Sequence, residues 1–261
     1  MSKMSKPQLV YEIERHSIKA GKYKVQVWTP TVAQVELISL TNSPADTMAI
    51  VTRGYTGVYS PDLPDKDERD RLLADIVKTK LATPTEMIHF TWLIRGVTRA
   101  WTHQAVRYRV GTAYVQESMR FLGHKGVYRV LMTDKLAKHP QSEEAQHYSR
   151  TVCDSVVAYV DLIDNGVPDQ DARGVLPTNI LTSLFWDMSL STLMHVYNTR
   201  VCCQAQTGEW VPILLQMKDW LRQCCPEVAE MLTAPIDRGE PCGFNASFDR
   251  PCVWKVRDGV K

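Results

Sequence analysis

A chain of 261 residues with 44% hydrophobic content is long enough to bury a substantial core, and it reads as one domain covering residues 1–261 rather than two small ones. Its 31 basic and 29 acidic residues leave a net charge of only +2, which excludes a general nucleic-acid surface or an anionic-membrane surface, so positive charge has to act locally on a small ligand. The N-terminal MSKMSKPQLV has no apolar core of signal-peptide length and no later apolar run approaches bilayer length, so a cytoplasmic protein without membrane contact is expected.

Tyr23 to Trp28 and Gln34 to Leu40 alternate and are rich in β-branched residues; with Thr29-Pro30-Thr31 as the turn they are expected to form an early hairpin. Asp65 to Leu81 opens with acids and carries Leu72, Leu73, Ile76 and Val77 at helical spacing. That is an amphipathic helix whose Asp/Glu run is a solvated first turn, not a metal site. Ile88 to Ile94 is a short apolar strand. A helix over Val97 to Tyr108 would follow it, putting Arg99, His103 and Arg107 on one face at four-residue steps, with Gln104 beside Arg107. Gly111 to Gln116 reads as a loop. Glu143 to Asn165 has the spacing of a core-facing helix stopped by Gly166, with Pro168 just beyond. Ile180 to Trp186 is expected to be a strand, Leu190 to Val201 a helix ending in Arg200, and Val211 to Leu232 a long helix broken at Pro226. The Pro- and Gly-rich tail from Ala234 is turn-like and carries no functional signal.

The chemistry concentrates between Met87 and Thr133. The basic residues there are Arg95, Arg99, Arg107, Arg109, Arg120, Lys125 and Arg129, and the only acid is Glu117. Arginines on one face fit an anion, because the guanidinium stays charged and offers a planar fork that matches phosphate oxygens two at a time. Arg107 and Arg109 would equally suit a helix C-terminus, where the macrodipole favours cations. Composition leaves these two readings level. Seven cysteines is an odd count, and Cys202-Cys203 and Cys224-Cys225 are adjacent pairs without metal or redox spacing, so reduced thiols are expected. The histidines are scattered, and no metal is predicted.

The order of residue types separates the two readings. Arg107-Tyr108-Arg109, then eight residues, then Ser118-Met119-Arg120 resembles the signature of the flavin-dependent thymidylate synthases, an Arg-His-Arg triplet followed by Ser-x-Arg. The upstream Gly96-Val97-Thr98-Arg99 and Thr102-His103-Gln104 resemble it too, as do Asn165-Gly166-Val167-Pro168 and Arg173-Gly174-Val175-Leu176-Pro177 further on. The resemblance implies an α+β fold like that of the thymidylate synthase complementing proteins, with a central, mostly antiparallel sheet flanked by long helices. It implies a homotetramer with sites built between subunits. It also implies reductive methylation of dUMP to dTMP, with methylenetetrahydrofolate as carbon donor, FAD as hydride carrier and NADPH as reductant.

Carried over position by position, the resemblance assigns Gln104, Arg107, Glu117, Ser118, Arg120, Arg173 and Arg200 to the nucleotide. Arg200 would orient the pyrimidine, since a donor-only group suits uracil oxygens. Thr83, Glu86, Arg107, Tyr108, Arg109, Gln116, Ser189 and His195 are assigned to the flavin. The chain departs from the family at Leu81, Met87, Tyr108, Ser189 and Ser191, where His, His, His, Asn and Arg would stand. One extra residue between Arg109 and Ser118 leaves Gln116 and Glu117 out of register. Tyr108 keeps the hydrogen bonding and aromatic face of the missing histidine, so a stacking contact with the flavin ring is expected. No protein nucleophile is needed, because the cofactor carries the hydride step. Cys242 and Cys252 have the wrong neighbours for an activated thiol. A dCMP or UMP methylase, a hydroxymethylase, and a nucleotide-binding protein without catalysis are the alternatives.

Overall fold

The computed structural model describes residues 8–19, 21–30, 33–121, 126–202, 205, 208–238 and 240. Thr31, Lys125, Cys203, Cys242, Cys252 and most of the turn-rich tail lie outside them. The chain is α+β; its described residues form a three-stranded and a four-stranded sheet, and it divides into two compact units. The first unit comprises Met1–Ala33, Arg95–Ala105 and Gln116–Leu184, and the second Gln34–Ile94, Val106–Val115 and Phe185–Lys261.

In the first unit, strands β1 (Leu9–Ser17) and β2 (Gly21–Trp28) form an antiparallel pair, and Gly21, the first residue of β2, has φ +66°, where a side chain would be strained. Strand β2 buries Tyr23, Val25 and Val27 and turns Lys24 and Gln26 outward, the alternation its sequence predicts. Its other edge pairs in parallel with β6 (Val127–Leu131), bringing Val25 opposite Tyr128 and Val27 opposite Val130. Helix α5 (Glu143–Asp164) covers this sheet with Val152, Cys153, Val156, Tyr159, Val160 and Ile163. Ser142 caps α5 by accepting from the Ala145 amide at 3.2 Å, and Gly166 at φ +85° ends it, as expected. Short helix α6 (Asp169–Ala172) packs on α5 and leads into the 3-10 turn Arg173–Val175.

The four-stranded sheet has the order β3 (Gln34–Leu40), β4 (His89–Thr98), β7 (Leu181–Ser189), β5 (Thr112–Gln116). Phe90, Trp92 and Ile94 of β4 are buried by alternation, as are Trp186 and Met188 of β7. The second unit holds α1 (Pro44–Arg53), α2 (Lys66–Thr79), α3 (Thr83–Glu86), α7 (Leu190–Arg200), α8 (Trp210–Cys224) and α9 (Pro226–Met231). Asp65 caps α2 by accepting from Glu68, so its acidic start is a first turn. Helix α8 lies on β3, where the Trp220 indole donates to the Val35 carbonyl at 2.8 Å.

Three expectations are corrected. Strands β2 and β3 form no hairpin: they belong to different sheets, because β2 takes its antiparallel partner from the polar β1 that precedes it. The helix expected over Val97 to Tyr108 is shorter. Val97 and Thr98 stay in β4, and helix α4 spans only Arg99–Ala105, started by the Thr98 hydroxyl accepting from the Trp101 amide at 3.0 Å. Arg107 therefore lies beyond the helix and not on a face with Arg99 and His103. Thr112 to Gln116, expected as a loop, is the edge strand β5.

Candidate functional site

In the second unit, residues Tyr108 to Gly111 are tied to the start of α7, which explains why α4 does not run on. The Val110 carbonyl accepts from the Thr192 hydroxyl at 2.6 Å and the Gly111 carbonyl from the Ser189 amide at 2.8 Å. Gly111 has φ +59°, and a Cβ there would stand 2.7 Å from the Ser189 hydroxyl, so only glycine fits. Ser189 itself is 1% exposed and caps α7 by accepting from the Thr192 amide at 3.2 Å. Its hydroxyl has a structural use in this chain.

This anchoring sets Tyr108 in an aromatic cluster. Its ring lies 6.3 Å from Trp186, 6.1 Å from Trp210 and 5.7 Å from His195, and its carbonyl accepts from the Tyr114 hydroxyl at 2.7 Å. Tyr114 in turn stacks on Trp186 at 5.4 Å, and burial pushes its phenol up to about 12. Arg200, the last residue of α7, donates from Nε to the Tyr108 hydroxyl at 2.7 Å. Its guanidinium carbon stands 4.8 Å from the Trp210 ring centroid and 5.6 Å from that of Tyr108, within the range of cation–π attraction. Of the expected site residues, the structure thus brings Tyr108, His195 and Arg200 together. Trp210, Trp186 and Tyr114 complete the cluster; they lie far apart in the chain with no shared local pattern, and sequence reasoning missed them.

The first unit holds Gln104, Gln116, Glu117, Ser118, Arg120 and Arg173. Gln116 donates to the Thr102 hydroxyl of α4 at 2.8 Å, and Glu117 continues the strand pairing by donating its amide to the Ser183 carbonyl at 3.1 Å. The Ser118 hydroxyl then accepts from the Arg120 amide at 3.3 Å, opening a 3-10 turn over Met119–Phe121 with the Arg120 side chain in solvent. Arg99 supports this turn by donating to the Glu117 carbonyl at 3.3 Å. Burial, with Arg173 next in importance, holds the Arg99 guanidinium below its usual range. Its Nε and the hydroxyl of Thr182, which line the same tight crevice, find no hydrogen-bond partner among the described residues. Arg173 is exposed, with Nε bonded to the Gln170 carbonyl at 3.2 Å.

Thr83 and Glu86 lie exposed on α3, which packs against α7; Arg107, Arg109 and His195 are exposed in the same unit. Guanidiniums suit phosphate oxygens and the hydroxyl and imidazole groups suit polar ring edges, whereas the Glu86 carboxylate can only accept. Among the described residues no group of three or more His, Cys, Asp or Glu could hold a metal, and no helix is long and apolar enough to cross a membrane. Burial pushes the Cys153 and Cys225 thiols up to about 12, so at pH 8 both are held as thiols. Iodoacetamide at that pH should therefore label exposed Cys224 while sparing Cys153 and Cys225 in the folded protein, read by peptide mass spectrometry. Rapid labelling of Cys153 would show that its helix face is open.

The family model for thymidylate synthase complementing protein matches residues 36–227. A flavin-dependent thymidylate synthase from Geobacter sulfurreducens is 29% identical over 234 residues, 83% of this chain and 97% of its own length. The enzyme of the same name from Pyrococcus furiosus is 27% identical over 183 residues, 67% of this chain and 73% of its own. Among solved structures, the UMP/dUMP methylase PolB from Streptomyces cacaoi, bound with 5-Br dUMP, superposes with a TM-score of 0.64 at 18% identity, covering 78% of this chain and 95% of that one. That likeness is one of fold.

Proposed function

Because the chain belongs to the thymidylate synthase complementing protein family, we propose that it methylates carbon 5 of dUMP, taking the carbon from methylenetetrahydrofolate and using FAD reduced by NADPH. The whole of residues 1–261 would serve as one catalytic domain, assembled as a homotetramer. What supports this reading is the family match over residues 36–227, with Gln104, Arg107, Ser118, Arg120, Arg173 and Arg200 standing where the resemblance assigns nucleotide contacts. Arg120 and Arg173, both exposed, would pair with phosphate oxygens, and Arg200 would meet the pyrimidine oxygens. Thr83, Glu86, Arg109 and His195 would hold the flavin, which when bound supplies the hydride that completes the methyl group. The chain's own part is then to bind, orient and exclude water.

The experiment is an anaerobic assay of the purified protein with FAD, NADPH, methylenetetrahydrofolate and, in separate arms, dUMP, UMP and dCMP. Formation of dTMP from dUMP alone is the expected result, with a visible flavin spectrum that FAD addition restores if the cofactor is lost on purification. A second reading, transfer without reduction to leave a hydroxymethyl group, is favoured by Ser189, whose hydroxyl caps α7 where the family would present an asparagine. Hydroxymethyl product would establish that reading. An apoprotein that binds no FAD would remove reductive methylation altogether.

A further inference from the structure

We propose that Tyr108 is a positioning residue for Arg200, acting on the nucleotide side of the site; the inference rests on the functional reading above. The observation is a directional chain of hydrogen bonds. Thr199 Oγ1 reaches the His195 carbonyl at 2.9 Å and the Val196 carbonyl at 3.2 Å, and with its one proton on either of them the 3.1 Å contact between Tyr108 Oη and Thr199 Oγ1 has the tyrosine as donor. Its lone pairs are then left for Arg200 Nε, at 2.7 Å.

The Nε–H lies in the guanidinium plane, so an acceptor held there restrains that plane's orientation. Trp210, 4.8 Å from Cζ, holds the same group from the side. The acceptor is itself immobile, because the Tyr108 ring is wedged against Trp186, Trp210 and His195 and its backbone carbonyl is bonded to Tyr114. A planar fork held in one orientation loses less freedom on meeting two pyrimidine acceptors. The phenol is the group suited to this reach: an imidazole is shorter and carries nothing at the para position. The tyrosine in the triplet is thus a change of task, from the cofactor to the arginine that orients the base.

The test uses the full-length protein with FAD present, comparing Tyr108→Phe, Arg200→Lys and the double variant with wild type. Phenylalanine keeps the ring and removes only the acceptor; lysine removes Nε and keeps the charge. Tyr108→Phe is expected to raise the Kd and KM for dUMP roughly tenfold, with kcat and the Kd for FAD within about twofold. In the Arg200→Lys background the same change should cost nothing further, because its partner is already gone. A loss of FAD affinity with dUMP binding intact, equal losses of both, or full additivity with Arg200→Lys would each overturn the proposal. If wild type binds no pyrimidine monophosphate, the functional reading fails and takes this inference with it; if wild type binds dUMP and Tyr108→Phe binds it equally well, only the inference fails.

Discussion

Alanine in place of Arg120 or Arg173 is expected to weaken binding of dUMP by about 1.5 to 3 kcal/mol, roughly 10- to 150-fold, while leaving deoxyuridine binding unchanged. Each side chain is exposed and outside the core, so neither substitution should lower stability by more than about 0.5 kcal/mol. Their positions are set by backbone: Arg120 by the Ser118 turn that continues β5, Arg173 by the turn that follows α6. The half-buried Arg99 adds positive potential beside Arg173, and the desolvation that holds its guanidinium down would be offset by a dianion nearby. Arg129, equally exposed on β6 but outside the assigned set, is the control, and its alanine variant should bind dUMP as wild type does. Titration calorimetry with nucleotide and nucleoside decides the matter. Equal losses for the two ligands would mean that the arginines hold the protein and not the phosphate.

What could be read from the sequence was what depends on neighbours along the chain. The acidic first turn of α2, the span of α5 up to Gly166, the end of α7 at Arg200 and the break at Pro226 all rest on local rules, and the structure has each of them. The false hairpin rests on a choice of strand partner, which is non-local. LVYEIERHS is an edge strand with charged residues on its open side, and its polarity hides it from a search for apolar alternation. The overlong helix came from charge spacing, whereas Val97 and Thr98 are β-branched and follow a glycine at φ +76° that sits inside the strand. The arginine signature was legible because it is a fixed order of residue types. The aromatic surroundings of Arg200 were not, because Tyr108, Trp186 and Trp210 meet only once the second unit has folded.

Trp210→Ala should be the most destabilising single change in that surrounding. The indole is 0% exposed at the first position of α8, with its ring 6.1 Å from Tyr108, 6.4 Å from Trp186 and 4.8 Å from the Arg200 guanidinium carbon. Truncating a buried tryptophan removes its transfer energy and leaves a cavity, a cost of about 3 to 5 kcal/mol. Domains have only about 5 to 15 kcal/mol in total. For a protein of this size the thermal midpoint should fall by roughly 6 to 20 °C, measured by scanning calorimetry or circular dichroism. Trp210→Phe keeps an aromatic face for Arg200 and most of the apolar volume, so its midpoint should fall by less than half as much. At a temperature where both variants are folded, dUMP affinity should follow the same order, because Arg200 keeps a ring to rest on in one and meets a void in the other. A Trp210→Ala variant with an unchanged midpoint would mean that the indole does not pack in the core of the second unit. One that loses stability yet binds dUMP like wild type would show that Tyr108 alone is enough to orient the arginine.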